Sequence, residues 1–242
     1  MNVRRLIADA LQSLRDFLDD CLSSNDKRAS LLSYWIKDYV RMLRSENAAN
    51  CPAYLRYKRG SVVKIHLGFR IGNEEGGLHY AIVLNKSDSA RNAILTVLPL
   101  TSVKPNTDVE RIHPNRLYLG TALLDSVYDK LQQSSARLLQ ELARLNDEWT
   151  QLKSKEGAEA LDVLAMEKEL KRVGVKNKLI NKQLAEVSKM KSGSIALVDQ
   201  IVTISKLRIY DPRFSQDMLF GIRLNDDMMN KIDDKIRDLF LG

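Results

Sequence analysis

His79 is the acid–base candidate of this 242-residue sequence at neutral pH. An imidazole with an ordinary pKa of about 6.5 can take or give a proton directly. The histidine follows a polar stretch bounded by glycines, residues 68–77, and opens an apolar segment. Farther on, Thr101 and Ser102 follow Pro99 and Leu100 at the end of another apolar run. A hydroxyl there can hold a phosphate oxygen by a neutral hydrogen bond. Arg70, Lys86, Arg91 and Lys104 fall in predicted loops, where binding surfaces concentrate. Each feature also has a plain structural account: a histidine packed beside a strand, a threonine capping a turn, glycines that permit tight turns. His66, inside the first apolar segment, and His113, before Pro114, read as structural.

The charge is uneven. Residues 52–122 hold ten Lys and Arg against five Asp and Glu, whereas residues 1–51 hold eight against seven. Residues 123–191 hold thirteen against eleven, and residues 192–242 seven against eight. Most of the net +7 therefore lies where His79 and Thr101 lie, which suits a polyanionic partner. Nucleotide-dependent chemistry finds no support, because there is no GxGxxG and no phosphate loop ending in Gly-Lys-Ser/Thr. Cys21 and Cys51 form no metal or redox spacing, so neither a metal nor a cofactor is expected. No run of 18 apolar residues suggests a membrane span, and Asp9, Asp16, Asp19 and Asp20 break any signal-peptide core. A cytoplasmic location is the expectation.

Three segments rich in Val, Ile and Leu, at 62–67, 81–85 and 93–100, are bounded by turn residues and predict strands. Residues 1–50 predict a helical hairpin, with Leu6, Leu11, Leu14, Leu18 and Leu22 on one helix and Leu32, Trp35, Ile36, Tyr39, Val40 and Leu43 on the next. Ser24 and Asn25 mark the turn, and Cys51-Pro52 ends the pattern. Residues 122–191 carry heptads: Leu124, Leu131, Leu138, Leu145 and Leu152 recur at seven, with Tyr128, Ser135, Leu142 and Trp149 between them. A second series, Met166, Leu170, Val173, Asn177, Ile180, Leu184 and Val187, follows a break at 154–157. An antiparallel coiled-coil hairpin is predicted; one long helix pairing with another subunit is the alternative. Asn177 in the seam would fix register, and Gly174 weakens the second arm. Residues 192–242 predict one or two strands and a final helix, capped by Asn225 and bearing Met229, Ile232, Ile236 and Leu239 on one face.

The order of motifs resembles one family. An Arg-Gly at a strand start, Gly-Asn-Glu-Glu-Gly-Gly before the next strand and Pro-Leu-Thr-Ser after the third are similar to the MazF/PemK toxin endoribonucleases. The late run Ser194, Ile195, Ala196, Leu197, Val198, Asp199, Gln200, Ile201, Thr203 and Ile204, then a terminal acidic helix, extends the likeness to about half the chain. The resemblance implies an α+β fold: a small SH3-like β-barrel of the MazF type with a C-terminal helix, interrupted by the helical hairpin and preceded by two helices. The divisions would be 1–50, 51–121 for the first part of the barrel, 122–191, and 192–242 for the second part.

It also implies metal-independent cleavage of single-stranded RNA, with the 2′-hydroxyl attacking the adjacent phosphorus. His79 and Thr101 stand at the positions of the family's arginine and threonine, and Asp199 at a polar position that some members fill with an acid. His79 replaces the arginine, and Tyr80 the proline after it, which shifts the chemistry toward histidine acid–base catalysis. Arg70, Asn73, Glu74, Gly76, Gly77, Lys86, Ser102, Lys104 and Gln200 are the expected RNA-binding residues. A homodimer and a cognate antitoxin protein are the implied partners. The alternative is an RNA-binding barrel with a decayed site, acting as a scaffold through its coiled coil.

Overall fold

The computed structural model describes residues 2–46, 54–104, 106–154, 160–188 and 193–242. Among them run five α-helices and seven strands, an α+β arrangement in which all the strand pairs are antiparallel. The strands are β1 (Val62–His66), β2 (Leu78–Val83), β3 (Ile94–Ser102), β4 (Arg116–Tyr118), β5 (Ser194–Leu197), β6 (Val202–Ser205) and β7 (Ile209–Asp211). The order is β4-β5-β3-β2-β1-β7, with β6 also paired to β3, so the described strands form a branched sheet that is not closed. β3 is the hub: its first half pairs with β6 and its last three residues with β5.

Alternation along the strands builds two cores. Val62, Ile82, Leu98 and Leu100 face one way, against Leu119, Leu123, Val127 and Leu131 and against the final helix α5 (Asp226–Phe240). Val63, Ile65, Ala81, Val83, Leu95 and Val97 face the other way, against Tyr57, Ile204 and Ile209. Asn225 caps α5 by accepting from Met228 N at 2.9 Å, and Met229 and Ile232 of that helix are buried. Arg59 ties the sheet to α5 by donating to Leu84 O and pairing with Asp233.

The heptad region forms α3 (Ala122–Ser154) and α4 (Ala160–Ser188), about 50 and 44 Å long at 1.5 Å per residue. An ion pair of 3.1 Å between Glu141 and Arg172 crosses between them, and Leu138, Leu145 and Val173 bury a seam. The root of α3 belongs to the sheet core: Leu123, Val127 and Leu131 are buried there, and Leu184 of α4 packs on it. Tyr128, expected in the seam, is 43% exposed. Asn177 accepts from Asn181 of its own helix at 3.4 Å. The break at 154–157 lies almost wholly outside the described residues, as does Cys51-Pro52.

The first two helices, α1 (Val3–Ser23) and α2 (Arg28–Glu46), meet around Cys21 and Ala29. Their apolar stripe is only partly covered, since Leu11 and Leu22 are more than 60% exposed. α2 docks on the sheet through Trp35, whose ring stacks on His66 at 4.7 Å and lies beneath the Arg208 guanidinium at 5.4 Å. A Cβ at residue 68 would meet the Trp35 ring at 2.9 Å, so only glycine admits this contact.

Two expectations shift. The second strand begins at Leu78 rather than residue 81, so His79 is inside β2. The loop zips itself shut first: Leu67 N donates to Gly77 O at 2.7 Å and Gly77 N to Gly68 O at 2.8 Å, which starts the ladder early. The late segment holds three strands rather than one or two. Asp199 and Gln200 sit in a single 3₁₀ turn, Val198–Gln200, between β5 and β6. The short strands β4 and β7 have three residues each, too few for a period-two pattern to register.

Candidate functional site

The loop from β1 to β2 is held at three points. Gly76 allows the closure, because a Cβ there would lie 3.0 Å from Gly68 O. Gln200 clamps the middle with both ends of its amide: Nε2 donates to Asn73 O at 3.3 Å, and Oε1 accepts from Glu75 N at 3.2 Å. Arg70 anchors the near side by donating from Nε to Leu67 O at 3.1 Å.

This clamping delivers Glu75 to His79. Glu75 Oε1 lies 3.0 Å from His79 Nε2, and His79 Nδ1 lies 3.1 Å from Leu100 O. A carbonyl oxygen can only accept, so Nδ1 carries a proton. The second ring nitrogen and the Glu75 carboxylate then share the exchangeable one. Both side chains are about one-quarter exposed, so the pair is reachable from solvent without being free in it. The register that pairs Tyr80 with Leu100 takes His79 and Thr101 as the next positions on the two strands, on the same face of the sheet. Thr101 is half-buried and pairs with Ile195 of β5.

The remaining predicted residues divide by place. Arg70, Asn73, Glu74, Gly76, Gly77 and Gln200 gather at this loop; Thr101 and Ser102 end β3 beside it, and Lys104 lies two residues farther on. Glu74 points to Arg70, at 3.5 Å, rather than to His79. Asn73 contributes its main-chain oxygen to the clamp while its side chain stays exposed. Asp199 is exposed and makes no hydrogen bond to the cluster among the described residues; its neighbour Gln200 does the holding. Lys86 lies past the opposite end of β2, three residues beyond Val83 and away from His79.

Two groups, Glu75 and Arg208, escaped the sequence reading, and His66, read there as structural, takes a place at the loop. Glu75 is the partner of His79, signalled only by its place across Gly76 and Gly77. Arg208 reaches Leu67 O at 3.3 Å from the late segment, so two guanidiniums converge on one carbonyl. His66 accepts from Gly68 N at 3.0 Å, fixing the loop's first turn. Burial holds the His66 pKa below its ordinary value, with the Asp38 carboxylate opposing and the Arg208 and His79 charges adding to the fall. Burial likewise lowers Arg208, helped by Arg70 beside it and opposed by Tyr39.

The arrangement offers a proton-exchanging pair, a hydroxyl in line with it on the sheet face, and clustered cations that can take up anionic charge. Among the described residues no helix is long and apolar enough to cross a membrane. No protein-family model and no curated protein matches the chain.

Proposed function

We propose that this chain is a toxin endoribonuclease of the MazF/PemK type, cleaving single-stranded RNA without metal and leaving 2′,3′-cyclic phosphate and 5′-hydroxyl ends. On this reading the branched sheet is a variant of the small SH3-like barrel, extended by the α3–α4 hairpin and preceded by α1 and α2. The observation that carries it is the Glu75–His79 pair beside Thr101. Attack by a 2′-hydroxyl needs a group to accept its proton, a group to protonate the leaving 5′-oxygen, and positive charge near the phosphorane. His79 Nε2 and Glu75 supply proton acceptance and return. Thr101 Oγ1 holds a phosphate oxygen, and Arg70 offsets the developing charge. Asp199 has no assigned step. A cognate antitoxin and a second copy of the chain are the partners this reading brings with it.

One observation favours the competing account, an RNA-binding barrel without chemistry. Both nitrogens of His79 already have partners, as a purely structural histidine would. Cleavage of a long single-stranded RNA by the purified chain in excess EDTA separates the two. The ribonuclease reading expects cyclic phosphate ends from the wild type and rates lower by about 10²–10⁴ in His79→Ala. Glu75→Gln falls with it, because glutamine cannot exchange the proton. Binding without cleavage by the wild type would establish the barrel instead.

A further inference from the structure

At the end of β1 that leads into the loop lies a cavity of about 120 Å3 between α2 and β7, with His66 in its lining. It is far smaller than the ~300 Å3 of a typical small-molecule site, so it admits one compact group rather than a nucleotide. Arg41, Arg208 and Arg213 line it together with His66, Tyr210 and a single carboxylate, Asp38. Asp38 is already paired with Arg41 at 3.0 Å. The Arg208 guanidinium has Leu67 O and the Trp35 ring as neighbours and no carboxylate ion pair among the described residues. Arg213 has no side-chain ion pair there either. Two guanidiniums therefore face a small space with their charge uncompensated, and a planar guanidinium matches a tetrahedral oxyanion with paired donors.

We propose that this cavity is a subsite for one backbone phosphate of a single-stranded RNA that also lies across His79. The proposal rests on the ribonuclease reading for the path of the strand. Leu67 O accepts from both Arg70 of the β1–β2 loop and Arg208 of the cavity, so the cations of the two places lie one carbonyl apart. Arg41 comes from α2, which the family resemblance does not reach. The subsite would thus bind substrate with an element added to the barrel. Tyr210, half exposed at the rim, offers a face on which the adjoining base can stack.

The test is fluorescence anisotropy with an RNA of about twelve nucleotides, methylated at every 2′-oxygen so that it cannot be cleaved, titrated between 50 and 200 mM salt. One lost phosphate contact on a single strand lowers the slope of log K against log salt by about 0.7, which is about five-fold in affinity at 0.1 M. Arg213→Gln and the double variant Arg41→Gln/Arg213→Gln should each show that loss while melting like the wild type; both arginines are exposed, so folding is spared. Arg208→Gln should show it as well, but that change also touches the Trp35 dock. Unchanged slope and affinity in the double variant would overturn the subsite. Inorganic phosphate that protects the wild type but not the double variant from melting, with RNA affinity unchanged, would overturn RNA as the occupant. A slope loss in a protein that never cleaves native RNA would uphold the subsite and sink the ribonuclease reading, so the two failures are separable.

Discussion

Replacing Lys206 with methionine removes the cation from an ion pair whose side chains are 1% and 0% exposed. Lys206 Nζ reaches both oxygens of Asp88, at 2.9 and 2.8 Å, and the carbonyls of Leu55 and Ser89 at 3.2 and 3.0 Å. The Tyr54 and Tyr57 rings lie 5.7 and 5.4 Å from it. Methionine fills the same space, so little cavity opens. What remains is an Asp88 carboxylate away from water, with Tyr57 N at 2.9 Å and Asn92 Nδ2 at 3.3 Å as its donors among the described residues. Orphaning one partner of a buried pair costs about 3–5 kcal/mol. For a chain of this size each kcal/mol lowers the melting temperature by roughly 2–4 °C, so the expected fall is about 6–20 °C. The double variant Lys206→Met/Asp88→Asn separates charge from packing. Asparagine keeps an acceptor for Tyr57 N and offers an amide to the freed carbonyls, so it should recover more than half of the loss. Denaturant unfolding of wild type, both single variants and the double closes the cycle. A Lys206→Met loss below about 1 kcal/mol, or a double variant as unstable as the single, would refute the argument from the orphaned charge.

Acidification should weaken the fold through His66. Its folded pKa lies below the ordinary value, so the unfolded chain takes up the proton more readily, and stability present above about pH 6.5 is lost as pH falls below it. Denaturation midpoints should therefore drop between pH 7.5 and 5.5 by more in the wild type than in His66→Phe, which keeps the stack on Trp35; parallel pH curves would remove His66 from the account. The hairpin should be trimmable only beyond its root. Joining Leu142 to Lys171 through a short turn keeps Leu123, Val127 and Leu131 on the sheet and should leave a cooperative unfolding transition. Removing residues 123–190 takes those core side chains away and should abolish it. Equal stability of the two deletions would show that the α3 root contributes nothing to the core.

Local periodicity explains what was legible in the sequence. Leu131, Leu138 and Leu145 sit at heptad spacing and are buried, and Met229 and Ile232 mark the buried face of α5, because a helix brings residues of one short stretch together. The first three strands carry enough Val, Ile and Leu to be seen individually. The site was less legible, since its contacts span the chain. Glu75 reaches His79 from a loop that Gln200, 125 residues later, helps to hold, and Arg208 meets Arg70 through a carbonyl that belongs to neither. Lys206 lies in a run where a solvent-facing lysine would read the same; only the approach of Asp88 from the β2–β3 connection makes it a buried pin. Lys86 carried the right charge for a phosphate contact, but the strand direction sent it to the other end of the sheet.

The position of β3 has a consequence in time. Its partners β5 and β6 start at Ser194 and Val202, and Ser194 follows Ser102 by 92 residues. At synthesis rates of about 5–20 residues per second, one edge of the central strand waits roughly 5–18 s for its pairing partner. Gln200 is made in the same late stretch, so the loop bearing Glu75 has no clamp during that interval. A nascent chain emerging from the ribosome thus carries His79, Glu75 and Thr101 while the β5–Gln200–β6 segment that braces them is still unmade. The loop that carries Glu75 is thus braced only after the last fifth of the chain has been made.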